Sequence, residues 1–195
     1  TSVKVTDSAG VERTAPLFFV SPTQINYQLP AGVTGTATVA ILRDNSIVGA
    51  GQLQATNVAP GLFGANANGQ GVAAAVVLRI KSNGAQSFEP VSNFDQTIRR
   101  FVAVPIDLGS SPVPDRFYLI LLGTGIRGRI SLANVTATVG GLATPVSFAG
   151  AQGSLVGVDQ LNLGPLPGNL KGRGNVDIVL RVDGKTANTV QVNIK

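Results

Sequence analysis

The sequence predicts an all-β fold made of two tandem β-sandwich units, the first incomplete at its N-terminus. Three observations predict it. Short runs of alternating apolar and polar residues recur along the chain, separated by turn residues every eight to twelve positions. The composition is 44% hydrophobic and only 13% charged, with 24 Gly and 11 Pro, as suits many strands joined by tight turns. One block also occurs twice. Residues 15–30 read APLFFVSPTQINYQLP and residues 143–167 read ATPVSFAGAQGSLVGVDQLNLGPLP. Each copy carries a proline, an aromatic, a turn-rich stretch and Gln-apolar-Asn leading to proline. A repeat of about 60 residues with period-2 strands denotes two copies of one β-unit.

In order along the chain, SVKVTD (2–7) alternates as a strand and runs into the turn DSAG. APLFFV (15–20) is a second strand, broken by Ser21-Pro22 and resumed by QINYQL (24–29). TGTATVAILR (34–43) is a strand, Asp44-Asn45-Ser46 a hairpin turn, and 47–57 the returning strand. Residues 61–75, rich in Gly, Ala and Asn, read as a bridging loop. AAVVLRI (74–80) is a strand, 85–103 is irregular, and PIDLGSSPVP (105–114) is a loop. RFYLILL (116–122) is the most apolar run and predicts a buried central strand. After the loop GTGIRGR (123–129), strands follow at 135–141, 145–150, 155–163, 175–183 and 188–195. No helical period is present; a helical turn would fall near 94–101 or 129–134. This gives a partial immunoglobulin-like unit at 1–60 and a complete immunoglobulin-like sandwich at 61–195, with a long irregular insertion around 81–115. Phe19, Ile25, Val39 and Ile41 are expected to form a core equivalent to that of Phe148, Leu161, Ile178 and Leu180.

The absent residues exclude much chemistry. The chain has no Cys, His, Met or Trp. It therefore has no disulfide, thiolate nucleophile, Ser-His-Asp triad or Cys/His metal site. Without Met, Thr1 is read as the start of a processed product or fragment. No run is long and apolar enough to span a membrane. The net charge is +5, but the fifteen basic residues are scattered and not interleaved with aromatics, which argues against nucleic acid. The lack of Trp and the presence of only two Tyr argue against a carbohydrate ligand.

The blocks APLFFVSPTQINYQLP, GTATVAI, APGLF, ANGQGVAAAV, PIDLG, LILLGTGIRGR, VTATVGG and GAQGSLVGVDQLN resemble the uncharacterised C-terminal domain family of Solibacter-type acidobacterial secreted proteins. The resemblance covers nearly the whole chain. It implies secretion, a C-terminal place in larger proteins, and a sandwich of the bacterial IPT/TIG kind. It implies no activity and assigns no catalytic residue.

Other candidate features each have a plainer reading. Asp107, Asp115, Asp159, Asp177 and Asp183 fit no calcium loop and read as turn caps. Glu12 and Glu89, the only glutamates, stand in no distinctive context. Gly123-Thr124-Gly125 and Gly128 lack the ending of a phosphate loop and read as a strand-ending turn. The paired Gln24/Asn26 and Gln160/Asn162 are expected to bond loop backbone. Asn134-Val135-Thr136 matches a glycosylation sequon. Lys4 and Lys195 are the candidates for an isopeptide crosslink.

No enzyme activity, catalytic residue, cofactor or metal is expected. The expected function is that of a non-enzymatic extracellular or cell-surface structural protein. It would be a polymer or filament subunit assembled by β-strand complementation, its partners being copies of itself or the rest of a larger parent protein. The strand-pairing edge is placed at Val3, Val5, Leu17 and Phe19. The alternative is an immunoglobulin-like binding or adhesion module attached to a larger secreted protein.

Overall fold

The computed structural model describes residues 1–109 and 115–195, and the protein is all-β throughout them. The last part of the expected loop at 105–114 lies outside the described residues. The chain divides into two compact units, Thr1–Asn57 and Val58–Lys195. This boundary precedes the one read from sequence. Val58 is buried in the second unit's core, and the Ala59 N–H donates to the Gly125 carbonyl at 3.0 Å.

The first unit contains β1 (Ser2–Thr6), β2 (Glu12–Thr14), β3 (Leu17–Val20), β4 (Ile25–Tyr27), β5 (Gly35–Arg43) and β6 (Ser46–Ala55). One sheet has the order β2-β1-β5-β6; β3 and β4 form a separate two-stranded sheet. Period-2 alternation sends Val3 and Val5 inward while Lys4 and Thr6 lie at the surface side. Asp44 and Asn45 make the β5–β6 turn at φ 50° and 64°, a left-handed pair that these two residue types tolerate. The Asp7 carboxylate ties the turn after β1. It accepts from the Ala9 and Val11 N–H groups, both at 3.0 Å, and from Arg13 Nη1 at 2.6 Å. The Arg13 hydrogen bond is the main cause holding the Asp7 carboxyl below its ordinary range, with the Val11 and Ala9 N–H groups adding to it.

The second unit contains β7 (Gly61–Leu62), β8 (Ala75–Ile80), β9 (Gln86–Pro90), β10 (Ser92–Asp95), β11 (Arg100–Ala103), β12 (Arg116–Thr124), β13 (Val135–Val139), β14 (Leu142–Thr144), β15 (Val146–Ala151), β16 (Asp159–Leu163), β17 (Gly174–Val182), β18 (Lys185–Thr186) and β19 (Val190–Ile194). A six-stranded sheet runs β15-β16-β12-β8-β9, with β7 also on β12. A five-stranded sheet runs β14-β13-β17-β18, with β19 also on β17. The core lies between these sheets. It includes Phe117, Leu119, Leu121, Leu161 and Leu163 from the first, and Val139, Ile178, Leu180, Val190 and Val192 from the second. As the apolar run at 116–122 predicts, β12 is the central strand.

Several local expectations are corrected. The stretch 85–103 is not irregular: it holds β9, β10 and β11. β9 ends its sheet and exposes Phe88, so it lacks the inward-facing alternation that reveals a strand. β10 and β11 form a hairpin closed by an edge-to-face contact between Phe94 and Phe101, centroids 5.3 Å apart. The strand expected at 155–163 begins only at Asp159. Gln152 Oε1 accepts the Ser154 and Leu155 N–H groups and holds the preceding residues in a turn. The loop read at 61–75 contains β7 and a bridge between Gly64 and Ala73. One 3₁₀ turn, Leu132–Asn134, falls within the expected 129–134; another, Gly168–Leu170, was not foreseen.

The repeat is a repeat of pairing. In β1–β5, Val3 stands opposite Ile41 and Val5 opposite Val39. In β13–β17, Ala137 stands opposite Leu180 and Val139 opposite Ile178. Val3 therefore matches Ala137, and both face inward. β3–β4 and β15–β16 also match, including a bulge at one place. Leu17 faces Tyr27 and Phe19 faces Asn26, as Val146 faces Leu163 and Phe148 faces Asn162. The first unit thus has counterparts of β13 to β19. Among the described residues it has none of β7 to β12.

Candidate functional site

The two copies of the repeat differ in what covers their cores. In the second unit, β12 lies along β16, with Leu119 opposite Leu163 and Leu121 opposite Leu161. Leu161, Leu163, Ile178 and Leu180 are all at 0% exposure. Their counterparts in the first unit are Ile25, Tyr27, Val39 and Ile41, and each is only half-buried. These side chains line an open groove of about 330 Å³ together with Val3, Val20 and Val48. Phe18 and Phe19 add exposed aromatic surface on β3, at 53% and 50%. Water-exposed apolar surface of this kind is stabilised by whatever covers it.

Val3 and Val5 do not lie on an edge. β1 is an interior strand, paired with β5 on one side and β2 on the other, and the Val3 carbonyl accepts the Ala15 N–H at 2.8 Å. Leu17 and Phe19 lie on β3, whose outer side has no strand among the described residues. The matching outer side of β15 is open as well, since β15 ends its sheet. The side that differs between the copies is that of β4, the counterpart of the β16 side taken by β12. Ile25, which the sequence reading placed in the core, and Tyr27, which it did not single out, lie on this strand. The repeat itself carried the signal, because it aligns Ile25 with Leu161.

The core expectation is also corrected at its aromatic positions. Leu161, Ile178 and Leu180 are buried, but Phe148 is 38% exposed, as its counterpart Phe19 is exposed. The bulge in β3 and in β15 turns each ring outward. The repeated amides do not cap loops. Gln24 Nε2 donates to Asn26 Oδ1 at 2.6 Å, and Gln160 Nε2 donates to Asn162 Oδ1 at 2.8 Å. Positions i and i+2 share one face of a strand, so each pair spans its own strand.

The acidic residues serve the scaffold. Asp159 is fully buried and its Oδ2 accepts the Ile126 and Arg127 N–H groups at 2.7 and 3.1 Å, while Arg127 Nε reaches Oδ1 at 2.5 Å. Asp115 pairs with Arg79 Nε at 2.7 Å and accepts the Ser82 N–H; the Arg79 hydrogen bond chiefly lowers its pKa. Asp107 is lowered chiefly by the Gly109 N–H, then by Lys195. Asp177 accepts from Gln191 Nε2 at 2.7 Å, and Asp183 from the Ile130 N–H at 3.0 Å. Glu12 meets Lys4 at 2.7 Å, and Glu89 meets Arg79 at 3.5 Å. Among the described residues, no three His, Cys, Asp or Glu cluster as metal ligands would.

The glycine loop after β12 has a packing reason. Gly125 has φ +68°, and a Cβ there would collide with the Ala59 carbonyl. The isopeptide candidates lack the buried setting that such a bond needs. The Lys195 side chain is 71% exposed, and Lys4 sits at the surface with Glu12. Asn134 of the sequon is exposed, at the end of a 3₁₀ turn. Among the described residues, no helix is long and apolar enough to cross a membrane. No protein-family model matches the chain, and no curated protein matches it.

Proposed function

We propose that the chain is a non-enzymatic extracellular structural protein of immunoglobulin-like build, a surface polymer or filament subunit assembled by β-strand complementation between chains. The observation that carries this reading is the half-burial of Ile25, Tyr27, Val39 and Ile41 where the matching residues of the second unit are sealed by β12. A sandwich open in this way gains by accepting a foreign strand, whose backbone satisfies the exposed edge and whose side chains fill the groove. Contacts of this head-to-tail kind propagate into filaments. The resemblance to Solibacter-type secreted proteins, together with the lack of Cys and Met, supports an extracellular or surface location. The absence of His and Cys from the whole sequence supports a role without catalysis. Electron microscopy of the native protein tests the reading: filaments that persist on dilution are expected, and strictly monomeric particles at every concentration would overturn it.

A second reading, as a binding or adhesion module, rests on a separate concavity of about 650 Å³ in the second unit. Asn66, Asn68, Arg100, Phe101, Asn175 and Gln191 are among its lining residues. Saturable binding of a glycan or protein by the monomer, abolished by Arg100→Ala, would favour it.

A further inference from the structure

We infer that Asn68 is a site of spontaneous covalent modification: its side-chain amide is lost and its link to Gly69 becomes an aspartyl or isoaspartyl link, while Asn83, in the same dipeptide, is held back by the fold.

The chemistry starts from the sequence. Asn68-Gly69 and Asn83-Gly84 are its two Asn-Gly pairs. In such a pair the glycine nitrogen attacks the asparagine Cγ, because glycine has no Cβ to crowd the approach and its backbone turns freely. The new N–C bond closes a succinimide ring. The bond from Cγ to the amide nitrogen breaks, and ammonia leaves with the proton from the glycine nitrogen. Water then opens the ring. Opening at the side-chain carbonyl gives Asp, and opening at the main-chain carbonyl gives isoaspartate. Water is the one co-reactant, and nothing is oxidised or reduced.

The structure separates the two pairs. Both asparagines are exposed. Both side chains make the same local bond: Asn68 Oδ1 accepts the Gln70 N–H at 3.3 Å, and Asn83 Oδ1 accepts the Ala85 N–H at 3.0 Å. The glycine nitrogens differ. The Gly84 N–H donates to the Lys81 carbonyl at 2.8 Å, and the Lys81 N–H donates to the Ala85 carbonyl at 2.8 Å, so the tip of the β8–β9 hairpin is tied across. The Gly84 nitrogen must give up its bond before it can attack. The Gly69 N–H has no acceptor among the described residues. Only its carbonyl is held, by Asn188 Nδ2 at 2.5 Å.

The modification would change a surface. Asn68 lies in the lining of the concavity of about 650 Å³, where Arg100 is the one charged side chain among the described lining residues. Loss of the amide adds a carboxylate there and takes the formal charge of the lining from positive to zero. An isoaspartyl link also lengthens the main chain by one methylene, just before the Gly69 carbonyl that Asn188 holds.

The test incubates the full folded chain in mildly alkaline buffer and digests samples with trypsin at intervals. Asn68 and Asn83 fall in different tryptic peptides, one ending at Arg79 and the other at Arg99. Mass spectrometry reads the conversion of amide to acid in each, and enzymatic methylation reads isoaspartate. The same incubation in denaturant is the reference. The inference expects Asn68 to convert at least about threefold faster than Asn83 in the folded chain, the factor that one hydrogen bond at Gly84 supplies, and the two rates to converge in denaturant. It also expects Asn68→Gln to abolish conversion in its own peptide and leave that of Asn83 unchanged. Equal rates in the folded chain, faster conversion at Asn83, or an Asn68 that stays intact while the denatured chain converts would overturn it. So would a rate ratio that persists in denaturant, since the Gly84 bond would then not be its cause. Conversion that survives in the Asn68→Gln peptide would place the site at another asparagine and overturn it as well.

Discussion

Ile25 and Leu161 hold the same position in two copies of one bulged hairpin, yet Leu161 is sealed by Leu121 of β12 and Ile25 has no strand beyond it among the described residues. The difference lies in the neighbour and not in the residue, since both are large aliphatics on matching strands.

The same contrast gives a stability prediction. Leu180→Ala removes a fully buried side chain and is expected to cost about 2–5 kcal/mol. Ile41→Ala, at the matching half-buried position, is expected to cost less, about 1–2 kcal/mol. Denaturant melts check this. The two tyrosines, Tyr27 and Tyr118, report one unit each, so Tyr→Phe variants separate the transitions. Equal costs at the two positions would contradict the difference in burial between them.

Asp159 is expected to be the most sensitive carboxylate in the second unit. Asp159→Ala leaves the buried Ile126 N–H without its acceptor and should cost about 1–3 kcal/mol. Asp159→Asn keeps an acceptor oxygen and loses only the negative charge that pairs with Arg127, so its cost should be smaller. Equal urea midpoints for the two variants would show that the Arg127 pair, and not the loop amide, is what the carboxylate supports.

Acid should weaken the first unit through Asp7. Its folded pKa lies below the unfolded value because Arg13 and two backbone N–H groups favour the anion. A depressed carboxylate contributes stability that is present above the unfolded pKa, near 4, and is lost as pH falls through the folded value. The stability of Asp7→Asn should therefore be lower at neutral pH and fall less on acidification. Parallel pH profiles for wild type and Asp7→Asn, read by Tyr27 fluorescence, would sink this assignment.

Purified protein should carry no stoichiometric zinc, iron or copper. The sequence has no His or Cys, and the carboxylates Asp107, Asp115 and Asp159 are engaged by Lys195, Arg79 and Arg127. Elemental analysis after exhaustive dialysis measures this directly, and one equivalent of any of the three metals would refute it.

Much of the fold was legible because burial imposes a period. Val3 and Val5, Leu119 and Leu121, and Ile178 and Leu180 each face a core at every second residue, and their strands stand out. β9 to β11 were not legible, because Phe88, Phe94 and Phe101 are exposed and no core face orders the pattern. Of the candidate edge, the repeat revealed that a neighbour was missing. It did not reveal which strand lost it. β2 carries only Glu12, Arg13 and Thr14, too short and polar to read as the strand that covers β1. The bulge at Phe19, which turns the ring outward, leaves no mark in the spacing of apolar residues.

The place of β12 has a consequence for how the second unit acquires its fold as the chain is made. Its hairpin-like partner β8 precedes it, but Leu121 meets Leu161 only 40 positions further on. Until β16 emerges, the most apolar strand of the molecule holds one bare ladder edge. Non-local pairing of this kind slows folding and prolongs the time in which such an edge can pair wrongly. The order of synthesis therefore sets how long that edge stays open: it closes only when Asp159–Leu163 has emerged to pair with Leu119–Gly123.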